Sequence, residues 1–295
     1  MKRFFQIFRL DQLLKNEPLK NHTTFKIGGP ADLILMPGSW SDIITALQIC
    51  AEEHLPYIVM GRGSNLLFRD EGFRGVVIKI DQPFKPPACS QCVLWADAGI
   101  SLSALSNAAL KESLTGLEFA GGIPGTLGGA VYMNAGAYGS EMKDVITEVE
   151  LLTPEGHIQK IPASEMDFGY RTSRVQREKS IVLSAGIRLI NGSYDDILAK
   201  MKDLGESRRE KQPMDMPSAG STFKRPLGYF AGKLIMDAGL SGAKVGGAQV
   251  SPKHCGFIVN GGGATARDVI NLIEHVRETV YNKFDVLLEP EVRII

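Results

Sequence analysis

The sequence predicts an α+β fold made of three consecutive regions. In the first third, segments of helical spacing alternate with β-rich segments such as "GVVIKI" (residues 75–80). Between residues 146 and 190, β-rich segments surround a Pro-Glu-Gly turn, which is typical of antiparallel strands. A polar helix from about Ser193 to Arg209 then leads through the proline-containing stretch "EKQPMDMPSAG" into a third region.

Local signals support the elements of the first region. Ser39 and Asp42 have the spacing of a capping box, in which a hydroxyl and a carboxylate satisfy free N–H groups at a helix start. The helix that they open is followed by the strand "PYIVMG" (56–61). A further strand, "VLWADAG" (93–99), precedes a segment of helical spacing over residues 101–113.

The later elements have equally local signals. The segments "ITEVELLT", "HIQKIP" and "SIVLSAGIRLI" predict the antiparallel strands of the second region. The last helix of the third region, "ATARDVINLIEHVRETVYNKF", is opened by Thr265 with Asp268 three residues further on.

Composition and charge indicate an ordinary globular protein. Apolar residues make up 44% and charged residues 22% of the 295-residue chain. Lys plus Arg and Asp plus Glu number 33 each, which argues against a broad basic surface for nucleic acid or an anionic membrane. No segment approaches the roughly 20 apolar residues of a membrane span, so we expect a cytoplasmic protein without membrane insertion.

The four cysteines do not predict a metal site. Cys89 and Cys92 have the spacing of a metal or redox pair. Zinc needs two further ligands, and neither Cys50 nor Cys255 has a second cysteine close to it in sequence. We therefore interpret the pair as incidental and predict no metal.

Two glycine-rich segments predict a binding surface. Seven of the 32 glycines lie in "GGIPGTLGGAVYMNAGAYG" (121–139), and a second segment, "GRGSNLLF" (61–68), offers Ser64 and Asn65 as side-chain donors. Where Cβ atoms are absent, backbone N–H groups can approach a phosphate or a flat ring closely. Two such loops suit a pyrophosphate with a ring system attached, although closely spaced glycines also serve tight packing. The nucleoside-triphosphate motif G-x-x-x-x-G-K-[ST] is absent.

A third glycine cluster matches the dinucleotide pattern G-x-G-x-x-A at Gly261 to Ala266. A dinucleotide-binding fold needs several more strand and helix units after this motif, and only about thirty residues follow it. We interpret the cluster as a turn between a strand and a helix.

Five motifs together resemble a known family. "YIVMGRGSNLL", "GIPGTLGGAVYMNAGAYG", "GYRTS", "SAGSTFKRP" and "LEPEVR" occur in the order and approximate spacing found in the UDP-N-acetylenolpyruvoylglucosamine reductases (MurB) of bacterial cell-wall synthesis. The resemblance covers nearly the whole chain. It implies a two-part FAD-binding domain of the vanillyl-alcohol-oxidase (PCMH) type and a smaller α+β substrate-binding domain.

The resemblance also implies domain boundaries and ligands. The first FAD-binding subdomain is expected at residues 1–82, the second at 83–196 and the substrate-binding domain at 197–285, with a C-terminal return at 286–295. FAD is expected to bind without a covalent link, and NADPH to serve as hydride donor for a UDP-sugar substrate. The residues expected to bind FAD are Gly61, Arg62, Gly63, Ser64, Asn65, Leu66, Gly122, Ile123, Pro124, Gly125, Gly128, Gly129 and Asn134.

The chain departs from the family pattern at one place. Longer members carry an inserted tyrosine-bearing loop that covers the substrate, between the "GYR" and "AGS" motifs. Here only about fifty residues separate Arg171 from Ser221, as in the shorter subtype. The substrate contacts of the longer members therefore do not carry over to this chain. Lys224 and Arg225, which follow Ser221 closely, are expected to contact the diphosphate of the substrate, with Lys253, His254 and Asn260 as weaker candidates.

The reaction that the resemblance implies assigns roles to three residues. Hydride addition to an enolpyruvyl ether drives charge into its carboxylate, and this developing enolate must be stabilised and then protonated. Arg171 is the expected clamp, because a guanidinium binds both oxygens of a carboxylate, and Glu291 is its expected partner. Ser221 is the expected proton donor, since a strongly basic enolate does not need an acid of pKa near 7. Ser218 is expected to supply a turn or cap hydroxyl.

Two other functions are compatible with parts of the pattern. A flavin oxidase would share the FAD-binding region but would lack the trio of Arg171, Ser221 and Glu291. A nucleotide-sugar binding module would have no redox activity and would be colourless when purified.

Overall fold

The computed structural model describes residues 1–295. The elements of the N-terminal half are α1 (Lys2–Ile7), β1 (Leu13–Pro18), β2 (Pro30–Leu35), α2 (Trp40–Glu52), β3 (Tyr57–Met60), β4 (Leu66–Leu67), β5 (Phe73–Lys79), β6 (Ala88–Ser90), β7 (Val93–Asp97), α3 (Leu102–Lys111), β8 (Leu114–Thr115), α4 (Leu127–Met133), β9 (Gly136–Ala137) and β10 (Ser140–Glu141). Those of the C-terminal half are β11 (Ile146–Leu152), β12 (Ile158–Pro162), α5 (Arg174–Glu178), β13 (Ile181–Arg188), β14 (Ile190–Asn191), α6 (Tyr194–Lys211), α7 (Ala231–Asp237), β15 (Lys244–Val245), β16 (Ala248–Val250), β17 (Ile258–Asn260), α8 (Ala266–Phe284) and β18 (Arg293–Ile294).

The chain forms two compact units, each assembled from separate stretches of sequence. The first unit comprises residues 1–14, 34–62 and 76–207. The second unit comprises residues 15–33, 63–75 and 208–295. The domain boundaries expected from the family resemblance, at residues 82, 196 and 285, stay predictions.

An antiparallel sheet of five strands, in the order β12-β11-β13-β7-β6, organises the first unit. Val149 of β11 pairs with Ile161 of β12, across the turn in which Gly156 takes a φ of +89°. A left-handed φ suits glycine because it has no Cβ, so the Pro-Glu-Gly turn was a reliable signal. The predicted antiparallel strands between residues 146 and 190 are confirmed.

The core of the first unit lies between this sheet and helices α3 and α4. Leu105 of α3 and Leu127 of α4 are fully buried, together with Val149 of the sheet. Helix α3 begins where Ser101 accepts a hydrogen bond from Ala104 N at 3.2 Å, and its buried residues include Leu102, Leu105 and Ala109.

The second unit packs helices α7 and α8 against the antiparallel sheet β15-β16-β17. Leu272, Ile273, Val276 and Val280 of α8 are buried, and their spacing of one, three and four residues places them on one side of the helix. None of the helices in the structure combines the length and the apolar character of a membrane-spanning helix.

Both predicted helix starts are confirmed, with one difference in detail. At α8, Thr265 and Asp268 form the reciprocal capping box, and the hydrogen bond from Thr265 N lowers the pKa of the Asp268 carboxyl. At α2, Ser39 Oγ accepts from Asp42 N at 3.1 Å, but the Asp42 carboxylate accepts from the backbone N of Gly38 instead of that of Ser39. At α2, the backbone donor to the carboxylate is therefore the residue before the cap, Gly38, and not the cap residue Ser39.

We expect Thr265→Ala to lower the free energy of unfolding of the second unit by about 0.5–2 kcal/mol, because it removes the acceptor for Asp268 N. Urea unfolding followed by circular dichroism measures the effect. Thr279→Ala is the matched control. It makes the same substitution in α8, but Thr279 Oγ donates only to His275 O, one turn earlier in the helix, and caps nothing. Equal losses in the two variants would contradict the capping role of Thr265.

Candidate functional site

The two predicted glycine loops meet inside the first unit. Gly61 follows β3, and a Cβ added to it would overlap the hydroxyl of Thr126. Thr126 is 2% exposed and caps α4, where its Oγ accepts from Gly129 N at 3.4 Å. Gly61 is therefore required by contact with the second loop.

Protein packing also explains Gly128. Its N–H donates to Ala98 O at 2.9 Å, and an added Cβ would lie 2.9 Å from the Ala98 Cβ. The N–H of Leu127 similarly donates to Ile100 O at 2.9 Å. The segment predicted as one long glycine loop thus contains a helix, α4, whose first turn packs onto the chain after β7.

A different environment surrounds Gly129 and Pro124, which are both exposed. An added Cβ at Gly129 would meet only Thr126 Oγ, at the ordinary contact distance of 3.6 Å. Between them, Gly125 N donates to Ile123 O at 2.8 Å and forms a tight turn. This part of the second loop, with Gly122 at its start, presents backbone to the surface, as close approach by a ligand requires.

A cavity of about 700 Å³ opens beside Arg62 in the first unit. One wall consists of residues from the linker 81–87, between β5 and β6, and the other of Ser101, which caps α3, with Ala104 and Ala108 of that helix. Its lining combines prolines and aliphatic side chains with the amides of Gln82 and Asn107 and with the charged side chains of Arg62, Asp81, Lys111 and Glu112. Such a mixture suits a ring system with polar edges.

Asn134, predicted as an FAD-binding residue, has its side chain engaged within the protein. It ends α4 in the left-handed conformation, with a φ of +41°, and is fully buried. Its Nδ2 donates to Gly169 O at 3.0 Å and to Glu141 at 3.1 Å, while its Oδ1 accepts from Lys143 N at 2.9 Å. The structure therefore links Asn134 to the segment that carries Arg171.

Arg171 lies in a tight turn of the first unit. Its φ of +57° is unusual for a residue with a side chain and indicates a conformation that the surroundings impose. Gly169 and Thr172 pair across the turn, and Gln176 Nε2 donates to Arg171 O at 3.1 Å. Asn134 and Gln176 thus hold the backbone on either side of the guanidinium-bearing residue.

In the second unit, the segment after Ser221 pairs with the C-terminal segment. Glu291 N donates to Thr222 O at 2.8 Å, Lys224 N donates to Glu289 O at 2.8 Å, and Phe223 forms a bridge with Pro290. This pairing brings the half-buried Ser221 beside the chain that carries Glu291. Two of the three predicted catalytic residues are therefore neighbours in the same unit.

The second half of the first glycine loop, residues 63–68, is bound to the C-terminal segment that carries Glu291. Asn65 Nδ2 donates to Glu291 O at 3.2 Å, and Asn65 O accepts from Arg293 N at 3.0 Å. Leu66, in β4, pairs in parallel with Arg293 of β18. Gly63 takes a φ of +63°, which allows the chain to turn before Ser64. Hydrogen bonds thus join Asn65 and Thr222 to Glu291, and Ser221 is the chain neighbour of Thr222.

The cations predicted to contact substrate differ in their environments. Lys224 is ion-paired with Glu289, and the Arg225 guanidinium lies over the ring of Phe230 at 3.9 Å. Lys253 Nζ donates to Arg209 O at 2.6 Å. Burial lowers the pKa of His254, so its neutral form is favoured.

Asn260 uses its side chain to hold the third glycine cluster. Its Oδ1 accepts from Gly262 N at 3.0 Å and Ala264 N at 3.2 Å, between β17 and α8. The cluster is the predicted turn between a strand and a helix. Ser218 pairs through its backbone with Val259, next to this turn.

Sequence reasoning missed two threonines that organise the site. Thr126 caps α4, and its position immediately before "LGGAVYM" was a usable capping signal. Thr222 is 3% exposed and accepts from Ile258 N at 2.9 Å through its hydroxyl. No local pattern identifies such a role, because its partners lie 34 or more residues away in sequence.

Comparisons with known proteins agree with this organisation. A family model described as "UDP-N-acetylenolpyruvoylglucosamine reductase, C-terminal domain" matches residues 212–295, and one described as "FAD binding domain" matches residues 31–162. A UDP-N-acetylenolpyruvoylglucosamine reductase of Caldanaerobacter subterraneus subsp. tengcongensis is 51% identical over 290 residues, covering 98% of this chain and 96% of the relative. The chain belongs to the UDP-N-acetylenolpyruvoylglucosamine reductase family.

Further members of the family are similar over the full chain. The Clostridioides difficile reductase is 47% identical and covers 98% of this chain and 95% of its own. The crystal structure of the Thermus caldophilus reductase has a TM-score of 0.81 at 35% identity, covering 94% of this chain and 97% of that one. The predicted family, the α+β fold class with its FAD-binding domain, and the assignment as an FAD-dependent oxidoreductase are confirmed.

The site residues of the first unit fit FAD. The side-chain-free surface at Gly129 permits close approach, and the cavity beside Arg62 has room for a ring system. Gly61, Gly128 and Asn134 support this surface from within the protein.

We expect Gly129→Val to lower FAD occupancy, because its branched side chain would occupy the surface that the cofactor is expected to approach. The fold should be kept, since an added Cβ collides with no protein atom there. Gly128→Val is the matched control. Its side chain would collide with Ala98, so it should lower the melting temperature. Flavin absorbance per protein and thermal unfolding of the FAD-free protein separate the two effects. Normal flavin occupancy in Gly129→Val would show that this surface does not face the cofactor.

Proposed function

We propose that the protein catalyses the NADPH-dependent reduction of UDP-N-acetylglucosamine enolpyruvate to UDP-N-acetylmuramate, with FAD bound in the first unit. Family membership over the whole chain supports the reaction. The observation that carries the assignment of residues is the pairing of Thr222 with Glu291, which brings Ser221 and Glu291 together. The localisation that suits a nucleotide-sugar substrate is the cytoplasm.

When bound, FAD supplies the hydride that it has accepted from NADPH. Addition of this hydride to the terminal carbon of the enolpyruvyl group moves an electron pair toward the carboxylate. The protein must then stabilise the resulting enolate and deliver one proton to the adjacent carbon.

Ser221 is the proposed proton donor. It is half-buried and follows Gly220, whose φ of +75° turns the chain at this point. Thr222, the next residue, is fixed by hydrogen bonds from its N–H to Gly256 O and to its hydroxyl from Ile258 N. A hydroxyl held by such a rigid neighbour can be oriented toward one carbon, as proton transfer requires.

Arg171 and Glu291 are proposed to stabilise the enolate. The guanidinium of Arg171 suits the two oxygens of the substrate carboxylate, because its donors form a planar fork. Glu291 is proposed to orient the polar groups around this charge, next to Ser221. The turn that imposes a left-handed conformation on Arg171 supports a role for which its placement matters.

The diphosphate of the substrate is proposed to meet the exposed Arg225 in the second unit, with Lys224 and Lys253 as further cations. The Arg225 guanidinium is already oriented by its stacking on Phe230 and by donation from its Nε to Tyr229 O at 3.3 Å. His254 and Asn260 are weaker candidates, since burial favours neutral His254 and the Asn260 amide holds a turn.

We expect the purified protein to be yellow and to release free FAD when it is denatured, because no residue is implicated in a covalent link. Absorbance of the supernatant after denaturation and precipitation measures the release. Flavin that stays with the precipitate would contradict non-covalent binding.

We expect Ser221→Ala to keep FAD and to be reduced by NADPH at a near-normal rate, because that step involves no enolpyruvyl group. Reoxidation of the reduced flavin by substrate should slow by about 10²–10⁴-fold, the usual cost of removing a general acid. Stopped-flow absorbance measures the two steps separately.

Ser218→Ala is the matched control, since Ser218 is three residues away and pairs with Val259 through its backbone. Both of its half-reactions should keep parental rates. If Ser221→Ala is reoxidised by substrate as fast as the parent, the proton comes from another group.

A further inference from the structure

We propose that Asp97 is a positioning residue for FAD, because it fixes the linker 81–87 that forms one wall of the cavity beside Arg62. The inference rests on the proposed use of FAD in the first unit. Asp97 lies at the end of β7 and is 2% exposed. A carboxylate so deeply buried needs partners, and the linker supplies them.

The hydrogen bonds of Asp97 go to the linker backbone. Its Oδ2 accepts from Phe84 N at 3.0 Å and from Lys85 N at 3.1 Å. Hydrogen bonds to a charged acceptor are stronger than those between neutral groups. These two bonds therefore hold the centre of a segment whose other residues, Asp81 to Pro83 and Pro86 to Pro87, line the cavity.

A glycine makes room for the start of the same linker. Gly99 lies two residues after Asp97, and a Cβ added to it would overlap the backbone oxygen of Gln82. Only glycine allows the linker to lie this close to the chain. Asp97 thus holds the linker against the end of β7, and Gly99 leaves the space in which the linker lies.

The surroundings of the other oxygen of Asp97 favour a carboxylate over an amide at this position. Oδ1 is buried and accepts no hydrogen bond, and the Lys85 ammonium lies 3.9 Å from it. Asparagine has the same shape, but its amide would place an NH₂ group either toward Lys85 or toward the two backbone donors. In the first orientation the NH₂ group faces the Lys85 cation, and in the second it faces the N–H groups of Phe84 and Lys85. Both arrangements are unfavourable, so the linker would be held less firmly.

A fixed wall lowers the cost of binding. If the linker were mobile, FAD would have to order it on binding. The loss of conformational entropy would make the binding free energy less favourable. Asp97 and Gly99 would then affect cofactor affinity without being in contact with the cofactor themselves, since neither lines the cavity.

The test uses FAD-free protein, prepared from the parent and from Asp97→Asn and Gly99→Ala, at a temperature at which thermal unfolding shows each to be folded. Quenching of flavin fluorescence gives the FAD dissociation constant. We expect it to rise about tenfold or more in both variants, because each frees the same wall. Gly38→Ala, whose Cβ has ordinary contacts of 3.4 Å and which lies outside the linker and the cavity, should keep the parental constant within about twofold.

Hydrogen exchange of the parent protein tests the clamp without a variant. The amides of Phe84 and Lys85 should exchange slowly even without FAD, since Asp97 binds them. Exchange as fast as in an unstructured peptide, or unchanged FAD affinity in both folded variants, would overturn the role of Asp97. A parent protein that binds no FAD would instead overturn the proposed function.

Discussion

The hydrogen bonds of Thr222 are the constraint on which the proposed catalytic arrangement of the second unit depends. Its N–H, hydroxyl and carbonyl connect it to Gly256, Ile258 and Glu291. Because Thr222 is buried, each of these groups would be costly to leave without a partner. The pairing therefore holds Ser221 beside the C-terminal segment, to which Asn65 of the first glycine loop is also bound.

The first unit also depends on a buried threonine, Thr126. Thr126 contacts Gly61, caps α4 and pairs with Ser101, so it sets the spacing between the glycine loops and the start of α3. Asn134 at the other end of α4 then fixes the turn of Arg171. One short helix thereby connects the proposed cofactor surface with the proposed carboxylate clamp.

Local signals predicted the elements whose causes are local. The caps at Ser39 and Thr265 and the turn at Gly156 depend on residues within a few positions, so the sequence reveals them. Helix α4 was missed because its glycines lower helix propensity, and tertiary packing onto Ala98 compensates for this. The motif order identified the family, but the internal engagement of Asn134 depends on partners that only the folded chain brings together.

Ser221 and Glu291 are proposed to act on the same developing charge, because the pairing through Thr222 makes them neighbours. A double-mutant cycle with Ser221→Ala and Glu291→Gln, measured on the rate at which substrate reoxidises the reduced flavin, tests it most directly. Residues that act as a unit are not additive, so the double variant should be about as slow as the slower single variant. A double variant slowed by the product of the two single effects would show that the residues act independently.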